Sequence, residues 1–304
     1  MLALAMIIDA IFGEPEVLWR RLPHPAVLMG RAVGWLDARL NRGRLRRAKG
    51  VAAVAALVAG AAAVGMVLSL DILGGVAEVA LAAILLAQKS LAQHVGRVAD
   101  GLGSSLAEGR RQVAMIVGRD PETLDEAGVA RAAIESAAEN FSDGVVAPAF
   151  WFALLGLPGI VVYKAVNTAD SMIGHLSPRY HAFGWAAARL DDLLNWVPAR
   201  LAGGLICLVG GRRAAVEVML RDADLHRSPN AGWPEAAMAA SLGVALAGPR
   251  FYGGVPTDDP FLNPQGRSRA RAADIRAAVG LIWRAWGVLL GLALVWGGLG
   301  WLIW

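Results

Sequence analysis

The chain has 304 residues, of which 56% are hydrophobic and 18% charged, with a formal net charge of +4. A soluble domain carries nearer a quarter charged residues, and this aliphatic surplus excludes a disordered chain, a collagen and a disulfide scaffold. The single cysteine, Cys207, lies inside the apolar stretch 201–211 and reads as an inert core thiol.

Residues 1–12 are apolar but lack a basic n-region and a small-residue cleavage site, so they read as retained rather than as a cleaved signal. Asp9, Gly13-Glu14-Pro15 and Pro23-His24-Pro25 follow, the two prolines fixing an extended backbone around a group that titrates near neutrality. Arg39, Arg42, Arg44, Arg46, Arg47 and Lys49 then precede Val51–Leu70, twenty residues without a charge. That is the length a hydrocarbon core of about 30 Å requires. Ile72–Ala87, sixteen residues containing Glu78, is predicted to bring the chain back across.

The segment 88–142 mixes charge signs and keeps apolar residues at helical spacing, which predicts two amphipathic helices broken near Gly118 to Pro121. Within it Arg131, Glu135 and Glu139 share one helix face. Asn140-Phe141-Ser142-Asp143-Gly144 is expected to end that helix at the edge of an apolar run. A carboxylate at that threshold, Asp143, is costly unless paired. The next run, Val145–Val166, contains Pro148, Pro158 and Lys164, with a helix break expected at Leu157-Pro158-Gly159.

Lys164, Asn167, Asp170, Ser171 and Gly174 form a helical stripe that points a cation, an amide, a carboxylate and a hydroxyl one way. Arg189, Asp191, Asp192 and Asn195 follow. Clustered aspartates without sulfur favour Mg²⁺ over zinc, the plainer alternative being a structural ion-pair network. The runs 201–211 and 236–248 are too short to span alone and suit buried or re-entrant helices. Between them Ser228-Pro229-Asn230-Ala231-Gly232-Trp233-Pro234-Glu235 places Pro234 at a predicted first helical position. The loop before it would present backbone N–H groups to an anion.

Five arginines from Arg267 to Arg284 precede the last uncharged run, Ala285–Trp304. The positive-inside rule puts both basic flanks in the cytoplasm, where they would hold anionic headgroups. Basic stripes interleaved with aromatics, which single-stranded nucleic acid would need, are absent, and so are the P-loop, the nucleophile elbow and HExxH. The expectation is an all-α, polytopic helical membrane protein with four to five transmembrane helices, re-entrant half-helices and an amphipathic cytoplasmic segment at about 88–142. It would form one integral-membrane domain over 1–304. Its site loops at about 135–144, 164–195 and 222–254 suit a phosphorylated or anionic ligand.

Several ordered motifs carry a family resemblance. They are Pro23-His24-Pro25 with Gly30, Met115 to Asp120, and Glu135 to Pro148 through Glu139-Asn140-Phe141-Ser142-Asp143-Gly144. They continue through Tyr163 to Met172, Arg189-Leu190-Asp191-Asp192, and Ser228 to Glu235. Over about residues 3–254 the chain resembles the CobD/CbiB family of adenosylcobinamide-phosphate synthases, with Glu14 and Phe141 departing from the family's aspartate and threonine. The resemblance implies an inner-membrane, multi-pass enzyme of cobalamin biosynthesis with its site on the cytoplasmic side. It would be an ATP-dependent amide ligase joining an aminopropanol phosphate to the free propionate of adenosylcobyric acid.

On that reading Asp143, Asp170, Asp191 and Asp192 would hold Mg²⁺, and Arg189 and Lys164 would neutralise phosphate oxygens. Glu139 or His24 would take the proton of the attacking ammonium. Asn140, Asn167, Ser228 and Asn230 would orient the substrates, with Glu135, Ser142, Ser171 and Glu235 completing the binding set. A cytosolic site using both Asp143 and Asp170 requires 145–166 to be a re-entrant hairpin folding at Leu157 to Gly159. Competing readings are a transporter of a corrinoid or another anion and a non-catalytic scaffold for the pathway. Partners would be the two substrates and membrane lipid, with a homodimer or association with other pathway enzymes left open.

Overall fold

A computed structural model describes residues 1–14, 16–70, 75–118, 121–211, 213–252 and 255–303. Pro15, Ile72, Arg119, Asp120, Gly254 and Trp304, which figure in the sequence reading, lie outside the described residues. The chain runs α1 (Leu2–Phe12), α2 (Glu16–Trp19), α3 (Pro25–Leu40), α4 (Arg46–Ser69), α5 (Val76–Leu85), α6 (Gln88–Ser104) and α7 (Leu106–Val113). It continues with α8 (Glu126–Phe141), a π-helical turn (Ser142–Val146), α9 (Ala147–Ile173), α10 (Trp185–Gly210), α11 (Arg213–Asp222) and α12 (Gly232–Leu242). Four strands of two or three residues, β1 (Leu246–Ala247), β2 (Arg250–Tyr252), β3 (Val255–Thr257) and β4 (Phe261–Leu262), precede α13 (Ala272–Ile303). The strands pair as β1 with β4 and β2 with β3, both antiparallel.

Five helical stretches are long and apolar enough to cross a membrane: 46–69, 76–104, 126–173, 185–210 and 272–299. The first shows why they need lipid. It is apolar all round, yet only 17% of its apolar window is buried inside the chain. A helix of that kind is stable only where its outer face meets hydrocarbon. The run 201–211, too short by itself, is the second half of α10 and borrows its length from residues 185–200.

The chain divides into two compact units. The first comprises residues 1–87, 147–195 and 293–304. Its core sets Val33 of α3 and Ala53 and Val54 of α4 against Ala169 and Ile173 of α9 and Phe183 and Ala187. Two glycines of α4 permit this packing. Gly50 abuts the Phe183 carbonyl, and Gly65 lies where an added Cβ would come within 2.5 Å of the Pro158 Cα.

α9 is two helices rather than one. Gly156 adopts φ 62° and ψ −150°, a backbone open essentially to glycine alone, and the chain doubles back there. Residues eight apart in a straight helix are separated by about 12 Å. Here Gly159 touches the Trp151 carbonyl, and Trp151 Nε1 and Tyr163 Oη donate to the neighbouring residues Leu194 and Asn195. The expected hairpin is therefore present, with its fold point at Gly156 rather than at Leu157 to Gly159. Pro158 occupies the first turn of the second arm, where its missing N–H costs nothing.

The second unit comprises residues 88–146 and 196–292 and contains the predicted amphipathic segment. That segment forms three helices rather than two, because Ser105 breaks α6 from α7 and caps the latter by accepting from Glu108 N at 3.1 Å. Asp125 caps α8 by accepting from Gly128 N at 2.7 Å. The Asn140–Gly144 sequence does not end α8. The helix passes into the π turn, which absorbs the extra residue without breaking the run. α12 packs on α8 and α11, with Ala236, Ala247 and Leu262 sealed in a small core beneath β1 and β4.

Candidate functional site

The predicted residues fall into two groups, one in each unit. In the first unit, the second arm of α9 carries Lys164, Asn167, Asp170 and Ser171 beside α10, which carries Arg189, Asp191, Asp192 and Asn195. Asp191 is buried at 8% exposure and both its oxygens are engaged. Asn167 Nδ2 donates to Oδ1 at 3.2 Å and Asn195 Nδ2 to Oδ2 at 2.9 Å. Tyr163 Oη in turn donates to Asn195 Oδ1 at 2.9 Å. This chain of polar groups holds a carboxylate in low-dielectric surroundings, which is costly unless such donors satisfy it. Asp170 is near enough for its charge to act on Asp191. Any side chain on Gly174 would collide with Asp170, so the stripe predicted from spacing depends on that glycine.

Arg189 pairs with Asp192 at 3.3 Å one helical turn away. The guanidinium is two-thirds exposed and the pair contributes little stability. Ser171 is exposed and its hydroxyl donates back to the Asn167 carbonyl at 2.9 Å. Thr168 makes the same bond to Lys164 at 2.7 Å.

His24 of the same unit caps α3. Its Nδ1 accepts from Ala26 N at 3.1 Å, and the ring stands edge-on to Trp19 at 4.5 Å. Burial holds this imidazole below its ordinary pKa; Glu14 opposes that shift, Lys164 adds to it, and the Ile84 backbone opposes it. With Nδ1 spent as an acceptor, the neutral ring carries its proton on Nε2.

In the second unit, Arg131, Glu135 and Glu139 share a face of α8, and the first two also reach partners outside that helix. Arg131 reaches the Ser268 carbonyl at 2.9 Å, and Glu139 is exposed. Glu135, buried at 5% exposure, accepts from Ala247 N at 2.8 Å. Ala247 is one of three non-glycine residues with positive φ among the described residues, and the Glu135 carboxylate holds it there. Ser136 donates to the Ile116 carbonyl at 2.8 Å and Asn140 Nδ2 to the Ser136 carbonyl at 2.9 Å, fixing the end of α8. Ser142 is buried in the π turn with no hydrogen-bond partner for its hydroxyl, and Asp143 beside it is half-buried.

The loop before α12 is built on its own hydroxyl. Ser228 Oγ accepts from Asn230 N and Ala231 N, each at 3.2 Å, and Ser228 N donates to His226 Nδ1 at 3.0 Å. His226 Nε2 stands 3.7 Å from Glu235 Oε1. The helix begins at Gly232, which is pressed against the Ala223 carbonyl, so Pro234 is its third residue rather than its first. The N–H groups that spacing offered to an anion are thus partly taken up by Ser228 and by the Asn230 carbonyl, which accepts from Trp233 N.

Sequence reasoning assigned no role to Asn195, Tyr163, His226, Asp222 or Asn263. Asp222, buried at 2%, accepts from Arg221 at 2.6 and 2.9 Å and from Asn263 N at 2.8 Å. Burial would raise this carboxyl's pKa, but its hydrogen bonds from Arg221 and the Asn263 N–H prevail and hold it below the usual range. The adjacent Arg221-Asp222 pair was a visible signal. Asn263 had none, since its amide bridges the Ala239 and Val244 carbonyls only in the folded chain.

The comparisons with known proteins agree with these motifs. A family model described as CobD/Cbib protein matches residues 2–282. "Cobalamin biosynthesis protein CobD" of Rhizobium meliloti is 54% identical over 306 residues, covering 95% of this chain and 94% of that protein. The protein of the same name from Sinorhizobium fredii is 55% identical, covering 94% and 92%. That from Brucella suis is 51% identical, covering 97% and 95%. No solved structure matches the chain. A match across nearly the whole sequence places this chain in the CobD/CbiB family.

Proposed function

We propose that this chain is an enzyme of cobalamin biosynthesis in the inner membrane, with its site facing the cytoplasm. The reaction is an ATP-dependent amide ligation between the amine of an aminopropanol phosphate and the free propionate of adenosylcobyric acid. The observation that carries the reading is the buried Asp191, held by Asn167 and Asn195 beside Asp170. Scaffolding alone does not call for a desolvated carboxylate oriented from both sides.

A carboxylate becomes a substrate for amide formation once its oxygen is made a leaving group, and phosphoryl transfer calls mainly for positioning and charge neutralisation. Among the described residues no group of three or more His, Cys, Asp or Glu side chains stands ready for a metal. Mg²⁺ bound with substrate phosphates asks only for one or two protein carboxylates, and Asp170 with Asp191 would supply them, with Asp192 as a further candidate in the same unit; Asp143 belongs to the other unit. Mg²⁺, when bound, supplies charge neutralisation at phosphate oxygens.

The chain's own residues do the rest. Lys164 and Arg189 attract and hold phosphate groups. In the first unit Asn167 fixes Asp191 and Ser171 is the substrate-orienting candidate beside it, while Glu135, Asn140, Ser142, Ser228, Asn230 and Glu235 belong to the second unit's own group. In the second unit Glu139, exposed, is the candidate to take a proton from an ammonium. His24, whose Nδ1 is occupied, serves as a donor through Nε2.

The test is full-length protein in detergent with adenosylcobyric acid, aminopropanol phosphate and Mg-ATP, the product identified by mass. Amide should form, and Asp170→Asn should lower its rate at least a hundredfold while leaving the melting temperature near that of the parent. No product from the parent chain, or undiminished product from the variant, would overturn the reading.

A further inference from the structure

An apolar groove of about 590 Å³ runs between α3 and α4 in the first unit and is floored by α5 and α9. Leu28 and Trp35 of α3 and Leu57, Gly60 and Val64 of α4 line it. It is open to the surroundings, with Leu28, Trp35 and Val64 each about half exposed (50%, 58% and 52%). Along α4 its lining extends from Ala56 to Leu68, about 18 Å at 1.5 Å per residue. One leaflet of a hydrocarbon core of about 30 Å has nearly that depth.

The end of the groove is cationic. Trp35 lines the groove and also carries the Arg39 guanidinium over its ring, with Cζ 5.4 Å from the centroid. Arg42, Arg44, Arg46, Arg47 and Lys49 follow, and from Ala38 to Leu70 the sequence contains no Asp or Glu. Among the described residues none of these six cations pairs with a carboxylate. The nearest acidic side chain in sequence, Asp37, is already bound by Arg179 at 2.6 Å and Asn41 at 2.7 Å. A second cavity, about 550 Å³, opens among Asp37, Asn41, Arg42, Arg46 and Arg179, three guanidinium groups to one carboxylate.

We propose that the α3–α4 groove and the arginine-rich turn at its end bind one anionic phospholipid, with an acyl chain in the groove and the headgroup phosphate on Arg39 and Arg42. Charge complementarity and depth select this occupant. A soluble anion has no use for the apolar groove, and a zwitterionic lipid leaves the cationic end uncompensated. The site holds whatever reaction the carboxylates serve.

Native mass spectrometry of the full chain in neutral detergent tests it, with phosphatidylglycerol and phosphatidylcholine of matched acyl chains as probes. One phosphatidylglycerol should remain bound under conditions that strip phosphatidylcholine, and about a hundredfold excess of inorganic phosphate should not displace it. Arg39→Ala with Arg42→Ala should weaken retention about thirty-fold. Gly60→Leu should abolish retention with every cation still in place. Nothing lies within 4 Å of a Cβ at position 60, so the new side chain leaves the helix into open space. Ala61→Leu, on the same wall, repeats that filling independently. Equal retention of the two lipids, displacement by phosphate, or full retention in both groove-filling variants would overturn the proposal.

Discussion

At His24 one nitrogen is committed to the first turn of α3, which ties the start of that helix to a proton. Because burial lowers the imidazole pKa, the sign of the effect is fixed. The contribution is present in full above the ordinary value of about 6.5. Below that the unfolded chain takes up the proton first, and the benefit is gone once pH has fallen through the lowered value in the fold. His24→Asn keeps a capping acceptor with no titration, and His24→Ala removes the cap at a cost of about 1 kcal/mol. Melting temperatures in detergent between pH 7.5 and 5.5 should therefore fall further for the parent than for His24→Asn, and His24→Ala should start lower at pH 7.5. At this scale the sequence announced charged and titratable groups well, since type and spacing are visible in a string. It placed Asn195 in the polar cluster but not its role, which comes from Tyr163 and Asp191, residues it meets only after folding.

For the elements, the governing fact is how closely α4 approaches the hairpin of α9. Gly65 meets backbone, with Pro158 Cα at 2.5 Å and Pro158 N at 2.9 Å from an added Cβ, so no rotamer change can relieve the crowding. Gly65→Ala should destabilise the protein by about 1–3 kcal/mol. Gly60→Ala, on the same helix and facing open space, should be neutral or slightly stabilising through helix propensity. Paired thermal melts decide this; equal effects would show that the close approach carries no energy. The hairpin was expected because Asp143 and Asp170 were placed on one side of the membrane, with Pro158-Gly159 as the visible break between them. Its fold point was not legible, because Gly156 differs from other glycines only in the φ it adopts. At the π turn Ser142–Val146 the sequence signalled a helix end, since Ser, Asp, Gly and Val are weak helix formers, yet the helical run continues through it.

For the whole molecule, apolar length gave the helical membrane architecture, and charge gave a sidedness that can be measured. If the hairpin is re-entrant, single cysteines at the exposed positions Asn140 and Ser171 should react with an impermeant maleimide from the same side of the membrane. Labelling from opposite faces would show that the run 145–166 crosses. What the string withheld was the division into two units, because three of its four boundaries, after residues 146, 195 and 292, fall inside continuous helical stretches, and Gly144, Pro148 and Pro198 near the first two are carried within the helices.

The Tyr163–Asn195–Asp191–Asn167 series has one more consequence. An amide offers hydrogen at one end and oxygen at the other, and the phenol hydrogen claims Asn195's oxygen, so this amide has only one orientation open to it. Turning it round would set oxygen against oxygen at the carboxylate. The series is thus a one-way arrangement, and the Asp191 carboxyl is held in place with no neighbour free to turn.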